Sequence, residues 1–121
     1  MKNCLIVDDS RVVRKIARKI LEELGFECTE AEDGQKALES CLLQMPEVVL
    51  LDWNMPVMTG IEFLHKLRQS PNGAAPKVVL CTTENSFSFI QEALGAGANE
   101  YIMKPFDSEI IQSKFLQIGA L

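Results

Sequence analysis

Several features that would commit a chain to a specialised class are missing from this one. No apolar stretch approaches the roughly 20 residues that a membrane span needs, and the N-terminus has no signal-peptide h-region. The four cysteines (Cys4, Cys28, Cys41 and Cys81) show no C-x-x-C spacing, and three of them sit inside apolar runs. Buried free thiols in a reducing, cytoplasmic setting are therefore expected. Basic excess is missing too: 17 acidic residues against 12 basic ones leave a net charge of −5, which disfavours non-specific binding to nucleic acid or anionic membranes. There is no helix-turn-helix, linker, repeat or low-complexity tract, and a single histidine, His65.

What remains is ordinary for a soluble globular protein: 47% hydrophobic and 24% charged residues over 121 positions, read as one domain spanning residues 1–121. A monomer with neither nucleic-acid nor membrane partners is expected. Short apolar runs alternate with longer amphipathic ones. Leu5–Val7, Phe26–Glu30, Val48–Leu51, Val78–Cys81 and Tyr101–Met103 read as strands, most of them uniformly apolar, as parallel strands covered on both faces should be. Ser10–Leu24 places Val13, Ile16, Ala17, Ile20, Leu21 and Leu24 on one helical face before Gly25 stops it. Asp33–Leu43 is a second helix with Asp33 as N-cap, ending before Pro46. Gly60–Gln69 is a third, with Phe63, Leu64 and Leu67 on one face and His65 to its side. The Pro/Gly/Asn-rich stretch from Ser70 to Pro76 is a loop, and helices follow at about Ser86–Leu94 and Asp107–Ile118.

Strand–helix alternation repeated in this way predicts an α/β fold, a parallel sheet sandwiched by helices. Ligands of such sheets bind beyond the C-terminal strand ends, where the strand order reverses. Asp8 and Asp9 close the first apolar run, Asp52 the third and Thr82 the fourth, while Lys104 follows the fifth. Carboxylates gathered beside buried strands repel one another, so a cluster of this kind points to a bound cation and phosphate chemistry. Each residue alone has a plainer role open to it, Asp8-Asp9 as turn or N-cap residues and Lys104 as a solvated lysine, but those roles do not explain the coincidence.

Asp8-Asp9, Asp52-Trp53-Asn54-Met55-Pro56, Thr82 and Lys104-Pro105-Phe106 occur in an order and spacing that resembles the receiver domains of two-component response regulators, stand-alone chemotaxis regulators most closely. The resemblance covers essentially the whole chain. It implies a flavodoxin-like (βα)5 doubly wound sheet with strand order 2-1-3-4-5. It also implies Mg²⁺ held directly by Asp9, Asp52 and the backbone carbonyl of Asn54, with Asp8 acting through a water. Asp52 would accept a phosphoryl group from a phosphohistidine on a histidine kinase or histidine phosphotransfer protein. Lys104 and the Thr82 hydroxyl would meet the phosphoryl oxygens, and the Lys104–Pro105 peptide would be cis. Asn54 and Glu84 occupy positions that in the family tune hydrolysis of the acyl phosphate, and Thr83 is bulkier than the residue often found there.

The same resemblance makes Tyr101 a switch residue that turns inward when Thr82 moves, reshaping the face of the fourth helix, fifth strand and fifth helix. Phe87 and Phe89 cannot share the buried face of the fourth helix with Ile90, Ala93 and Leu94, so Phe87, nearer the helix start, is expected to be exposed and to contact a partner. Arg11, Arg14, Lys15, Arg18 and Lys19 form a basic stripe on the first helix, read either as a solvated face or as a docking aid for an acidic partner. Three outputs stay open: docking on a flagellar switch, draining phosphate from a shared kinase, or regulating another kinase as an adaptor. The expectation is a signalling switch, not an enzyme, beyond its own phosphorylation and dephosphorylation. The enzymatic rival, a haloacid-dehalogenase-like phosphatase, would need an aspartate at position 54, where this chain has asparagine. A flavodoxin would need a polar phosphate-binding loop where Asp8-Asp9-Ser10-Arg11 stands.

Overall fold

Alternating side-chain faces build the sheet. In a computed structural model, which describes residues 2–53, 55, 57–83 and 87–121, five strands form: β1 (Lys2–Val7), β2 (Phe26–Ala31), β3 (Val48–Asp52), β4 (Lys77–Thr82) and β5 (Glu100–Met103). All pair in parallel in the order β2-β1-β3-β4-β5, so the chain steps outward from β1 to β2 and then returns to the other side of β1. Five helices connect and follow them: α1 (Arg11–Glu23), α2 (Gly34–Leu43), α3 (Gly60–Gln69), α4 (Phe87–Gly95) and α5 (Ser108–Gln117). Leu5, Val7, Val49, Leu51, Val78 and Leu80 pack with Ala37, Phe63, Leu64, Leu67 and Ala93 of α2, α3 and α4. Cys4, Ile6, Val48, Leu50, Val79 and Cys81 pack on the other face with Ala17 and Leu21 of α1 and Ile111 and Phe115 of α5. Two faces, both covered by helices, explain why the central strands read as unbroken apolar runs.

Helix ends follow local chemistry. Ser10 caps α1 through the Val13 amide, and Asp33 caps α2 through the Lys36 amide, as expected for Asp33. Gly25, with φ +95°, takes the left-handed conformation that ends α1. Thr59 and Glu62 close a reciprocal capping box at the start of α3. The expected helix start at Ser86 lies outside the described residues.

Two apolar side chains depart from the sequence reading. Ile16 is 49% exposed and Leu94 43% exposed. On the wide α1 stripe Ala17 and Leu21 are fully buried and Ile20 and Leu24 pack partly buried beside them, while Ile16 overhangs a groove that it lines with Val13, Thr83, Lys104, Pro105 and Phe106. On α4 the buried contact narrows to Ala93. All four cysteines are buried free thiols, as expected. Burial pushes Cys28 and Cys41 up to about 11 and Cys81 up to about 12, so they stay protonated and unreactive.

One half-buried pin had no signal in the sequence. The Arg68 guanidinium donates to the carbonyls of Gly73 (2.9 Å), Pro76 (2.7 Å) and Gly97 (3.1 and 2.7 Å) and to Asn99 Oδ1 (3.1 Å). It thereby ties the α3–β4 loop to the α4–β5 loop, and Asn99 Oδ1 also accepts from the Val78 amide. Arg68→Ala strands several carbonyls at once and is expected to destabilise the fold by about 3 kcal/mol in urea unfolding. A loss below about 1 kcal/mol would mean that the two loops are held by their own packing.

Candidate functional site

The strand-order reversal between β1 and β3 opens a cleft at their C-terminal ends, and the acidic residues stand there. Asp8 and Asp52 are buried, at 3% and 6% exposure, while Asp9 is exposed. Ligand oxygens of Asp8, Asp9 and Asp52 lie within 4.8 Å of one another. Lys104, just after β5, reaches over β4 to place Nζ 2.8 Å from Asp8 Oδ2 and 2.9 Å from Asp52 Oδ1. Its own amide is fixed by the Thr82 carbonyl at 2.8 Å, and the Lys104–Pro105 peptide is cis, as the resemblance implied. Thr82, 1% exposed, ends β4 beside Asp52, whose register partner is Cys81. All five residues that sequence reasoning assigned to the site from the strand ends therefore converge. The expected Asn54 carbonyl ligand, and Glu84, lie outside the described residues.

The loop supports are local and tight. Asp8 Oδ1 accepts from the Ser10 amide at 2.8 Å, so this aspartate also turns the chain into α1. The Trp53 amide donates to the Cys81 carbonyl at 3.1 Å, and Gly60 donates to the Trp53 carbonyl at 3.0 Å. A Cβ on Gly60 would stand 2.8 Å from the Asp52 carbonyl oxygen, so α3 abuts the end of β3 only because this residue has no side chain. Trp53 and Phe89 pack edge-on with centroids 4.2 Å apart, an α4 contact that the sequence did not reveal.

The electrostatics are unbalanced. Of the three clustered carboxylates, two share the Lys104 ammonium and Asp9 has no cation partner among the described residues. Burial, followed by the charges of Asp8 and Asp9, lifts the Asp52 carboxyl above its ordinary range, although Lys104 opposes this. Burial pulls Lys104 down, but its bonds to Asp8 and Asp52 prevail and leave it raised. A site with excess negative charge and only hard oxygen donors suits a small divalent cation such as Mg²⁺.

Tyr101 is half-buried on β5, with Lys114 Nζ of α5 5.0 Å from its ring centroid and 3.4 Å from Glu100. Phe87 is 75% exposed at the start of α4, as expected, and Phe89 is the phenylalanine that turns inward. His65 lies exposed on α3. Arg14 and Arg18, read as part of a solvated or docking stripe, both bind Glu30 instead. No local signal pointed to this, because Glu30 lies 16 and 12 residues further along the chain.

A doubly wound parallel sheet with an acidic cleft at its strand-order reversal and an inward-turned lysine places the chain among α/β proteins that carry their ligand site at the switch point. The model of the response regulator receiver domain matches residues 4–115, and the chain belongs to that family. It is 38% identical over 112 residues to the chemotaxis protein CheY1 of Helicobacter pylori, covering 91% of this chain and 90% of that protein. The chemotaxis protein CheY4 of Vibrio cholerae superposes with a TM-score of 0.93 at 33% identity, over 98% of each chain. The receiver domain of the Pseudomonas aeruginosa sensor histidine kinase PA1611, which carries a magnesium ion coordinated in its active-site cleft, has a TM-score of 0.89 at 28% identity over 98% of each chain.

Ionised Asp52 is therefore held against its neighbours. A carboxyl whose folded pKa exceeds its unfolded one costs stability above the folded value, and that cost vanishes as pH falls below the unfolded value. Asp52→Asn keeps an acceptor for Lys104 and removes the charge. The variant is expected to unfold at higher urea than the parent at neutral pH in a metal chelator, with the difference closing as the medium is acidified. Equal midpoints at neutral pH would show that Lys104 fully offsets the crowding.

Proposed function

We propose that the chain is a phosphorylation-gated signalling switch of the chemotaxis type, which accepts a phosphoryl group on Asp52 and presents the altered α4–β5–α5 face to a protein partner. The observation that carries this reading is the single Lys104 ammonium shared by Asp8 and Asp52, with Asp9 within ligand distance of both. The names of the relatives, chemotaxis proteins from H. pylori and V. cholerae, favour chemotaxis as the setting. The switch is not an enzyme toward other substrates; it promotes only its own phosphorylation and dephosphorylation.

Asp9, Asp52 and the Asn54 carbonyl would hold Mg²⁺ directly, and Asp8 through a water. Two features support this division: both Asp8 carboxylate oxygens already accept hydrogen bonds, whereas among the described residues the Asp9 carboxylate has no such partner. When bound, the ion neutralises charge on the phosphoryl oxygens. An Asp52 carboxylate oxygen attacks phosphorus, the P–N bond to the donor histidine breaks, and its electron pair returns to the imidazole ring, which takes up a proton. Lys104 turns from the carboxylates to a phosphoryl oxygen, and the Thr82 hydroxyl donates to another. Tyr101 then rotates inward. The donor is a histidine kinase or histidine phosphotransfer protein. The apolar groove of Val13, Ile16, Pro105 and Phe106, which Lys104 also lines, offers it a seat beside the site.

Labelling with a small phosphoryl donor such as acetyl phosphate in Mg²⁺ tests the chemistry. Asp52→Asn should abolish labelling, and Lys104→Met should slow it by about 10²-fold while Mg²⁺ still binds. Persistent labelling of Asp52→Asn would move the phosphoacceptor elsewhere.

Affinity capture with beryllofluoride-loaded protein, set against Asp52→Asn, tests the output. Enrichment of a flagellar switch component with the loaded form supports the chemotaxis reading, and enrichment of another kinase replaces it with an adaptor. Recovery of the cognate kinase alone, equally with both forms, would indicate a phosphate sink. Phe87→Ala should weaken capture of the output partner by about tenfold without altering labelling. Unchanged capture would remove Phe87 from the contact.

A further inference from the structure

Every polar group of Asp8 is occupied. Its amide donates to the Ala31 carbonyl of β2 at 3.1 Å, Oδ1 accepts from Ser10 and Oδ2 from Lys104. The remaining group, its backbone carbonyl, accepts from Arg14 Nη1 at 2.6 Å. Arg14 is aimed by Glu30 of β2, whose Oε1 lies 2.9 Å from Arg14 Nε while its Oε2 takes Arg18 Nη1 at 2.7 Å. The Arg14 side chain is only 13% exposed, unlike a solvated helix-face arginine.

We propose that Arg14 is a positioning residue for the acidic cluster: it clamps the peptide that joins Asp8 to Asp9, and so keeps the exposed Asp9 carboxylate beside those of Asp8 and Asp52. The inference rests on reading this cluster as the seat of a divalent cation and the phosphoacceptor.

A peptide unit is planar, so fixing its oxygen fixes the plane. The plane sets ψ of Asp8 and φ of Asp9, and with them the direction in which Asp9 leaves the backbone. Among the described residues Asp9 has no side-chain hydrogen bond to set that direction itself. Repulsion from two neighbouring carboxylates favours turning Asp9 out to solvent. A charge-assisted bond to the peptide oxygen opposes that rotation more strongly than a neutral one would. The planar guanidinium also suits the task, because separate nitrogens meet Glu30 and the carbonyl at once, whereas a lysine presents a single nitrogen.

Titrating the full chain with Mg²⁺ while following Trp53 fluorescence tests this, with urea unfolding of each variant run alongside. Arg14→Met should raise the Mg²⁺ midpoint at least about tenfold, as loss of a group orienting metal ligands does. Arg14→Lys should recover part of that loss, and Glu30→Gln should shift the midpoint in the same direction as Arg14→Met by a smaller factor. Arg18→Gln is the control: it loses bonds to Glu22, Glu30 and the Cys28 carbonyl but none to Asp8. It should lower the urea midpoint and leave the Mg²⁺ midpoint near the parent value.

A folded Arg14→Met protein with the parent Mg²⁺ midpoint overturns the proposal. So does an Arg18→Gln shift as large as that of Arg14→Met, since general loosening would then account for both. If Arg14→Met does not fold, unchanged midpoints in both Arg14→Lys and Glu30→Gln overturn it equally. A parent chain without any Mg²⁺ response would instead overturn the reading of the cluster, and this inference with it.

Discussion

The ammonium of Lys104, shared between Asp8 and Asp52, is the interaction on which the rest of this structure depends. It lies at the end of a long reach. In the sheet order, β5 is separated from β3 by β4 and from β1 by two strands. The lysine spans that distance because its backbone is tied to the Thr82 carbonyl, at the tip of the intervening strand. The parallel topology matters for the same reason, since it alone brings the C-terminal ends of β1, β3, β4 and β5 to one edge.

That concentration of charge opposes folding, and the molecule is built to withstand it. The strands behind the aspartates are buried on both faces, and their side chains interlock with helices on either side. Where the connecting loops turn away from the core, arginines take over. Arg68 gathers the carbonyls of two loops at one end of the sheet, and Arg14 meets the Asp8 carbonyl at the other. In both cases a charged group satisfies backbone oxygens that regular pairing leaves over, which apolar packing cannot do. Residual strain in charge, visible in the raised Asp52 carboxyl, is then a local property of the cleft.

Much of this was legible in the sequence, for identifiable reasons. Uniform apolar runs marked the strands because parallel strands have no solvent face, and Asp33 and Gly25 marked helix ends because their chemistry is local. Asp8, Asp9, Asp52, Thr82 and Lys104 could be gathered into one site because each sits at a strand end, and strand ends of a parallel sheet are neighbours. The rest depends on geometry that periodicity does not carry. The helical pattern could not say that Ile16 and Leu94 lie beyond the reach of the sheet. Nor could it show that Arg14 and Arg68 bond to partners distant in sequence. Val57 takes a left-handed backbone (φ +69°), rare for a β-branched residue, and nothing in the sequence announces it.

The division of labour across the sheet bears on how a charge at Asp52 could reach a surface. The carboxylates belong to the inner strands β1 and β3, whereas Thr82 and Lys104 belong to β4 and to the chain leaving β5. The outer pair of strands also carries Tyr101, which faces Leu80 of β4 in register and lies three residues before Lys104. A phosphoryl group on Asp52 would therefore draw on two side chains rooted in the half of the sheet that Tyr101 occupies. On the other side of Tyr101 stands Lys114, which also pairs with Glu100, so the α5 face is already coupled to this ring by charge. Trp53 adjoins Asp52 and packs on Phe89, giving α4 its own contact with the residue that follows Asp52. Two short routes thus leave the site, one through β4 and β5 to α5 and one through Trp53 to α4. Both end on the face proposed to meet the partner, so a change of charge at Asp52 can be read there without crossing to β2 at the far edge of the sheet.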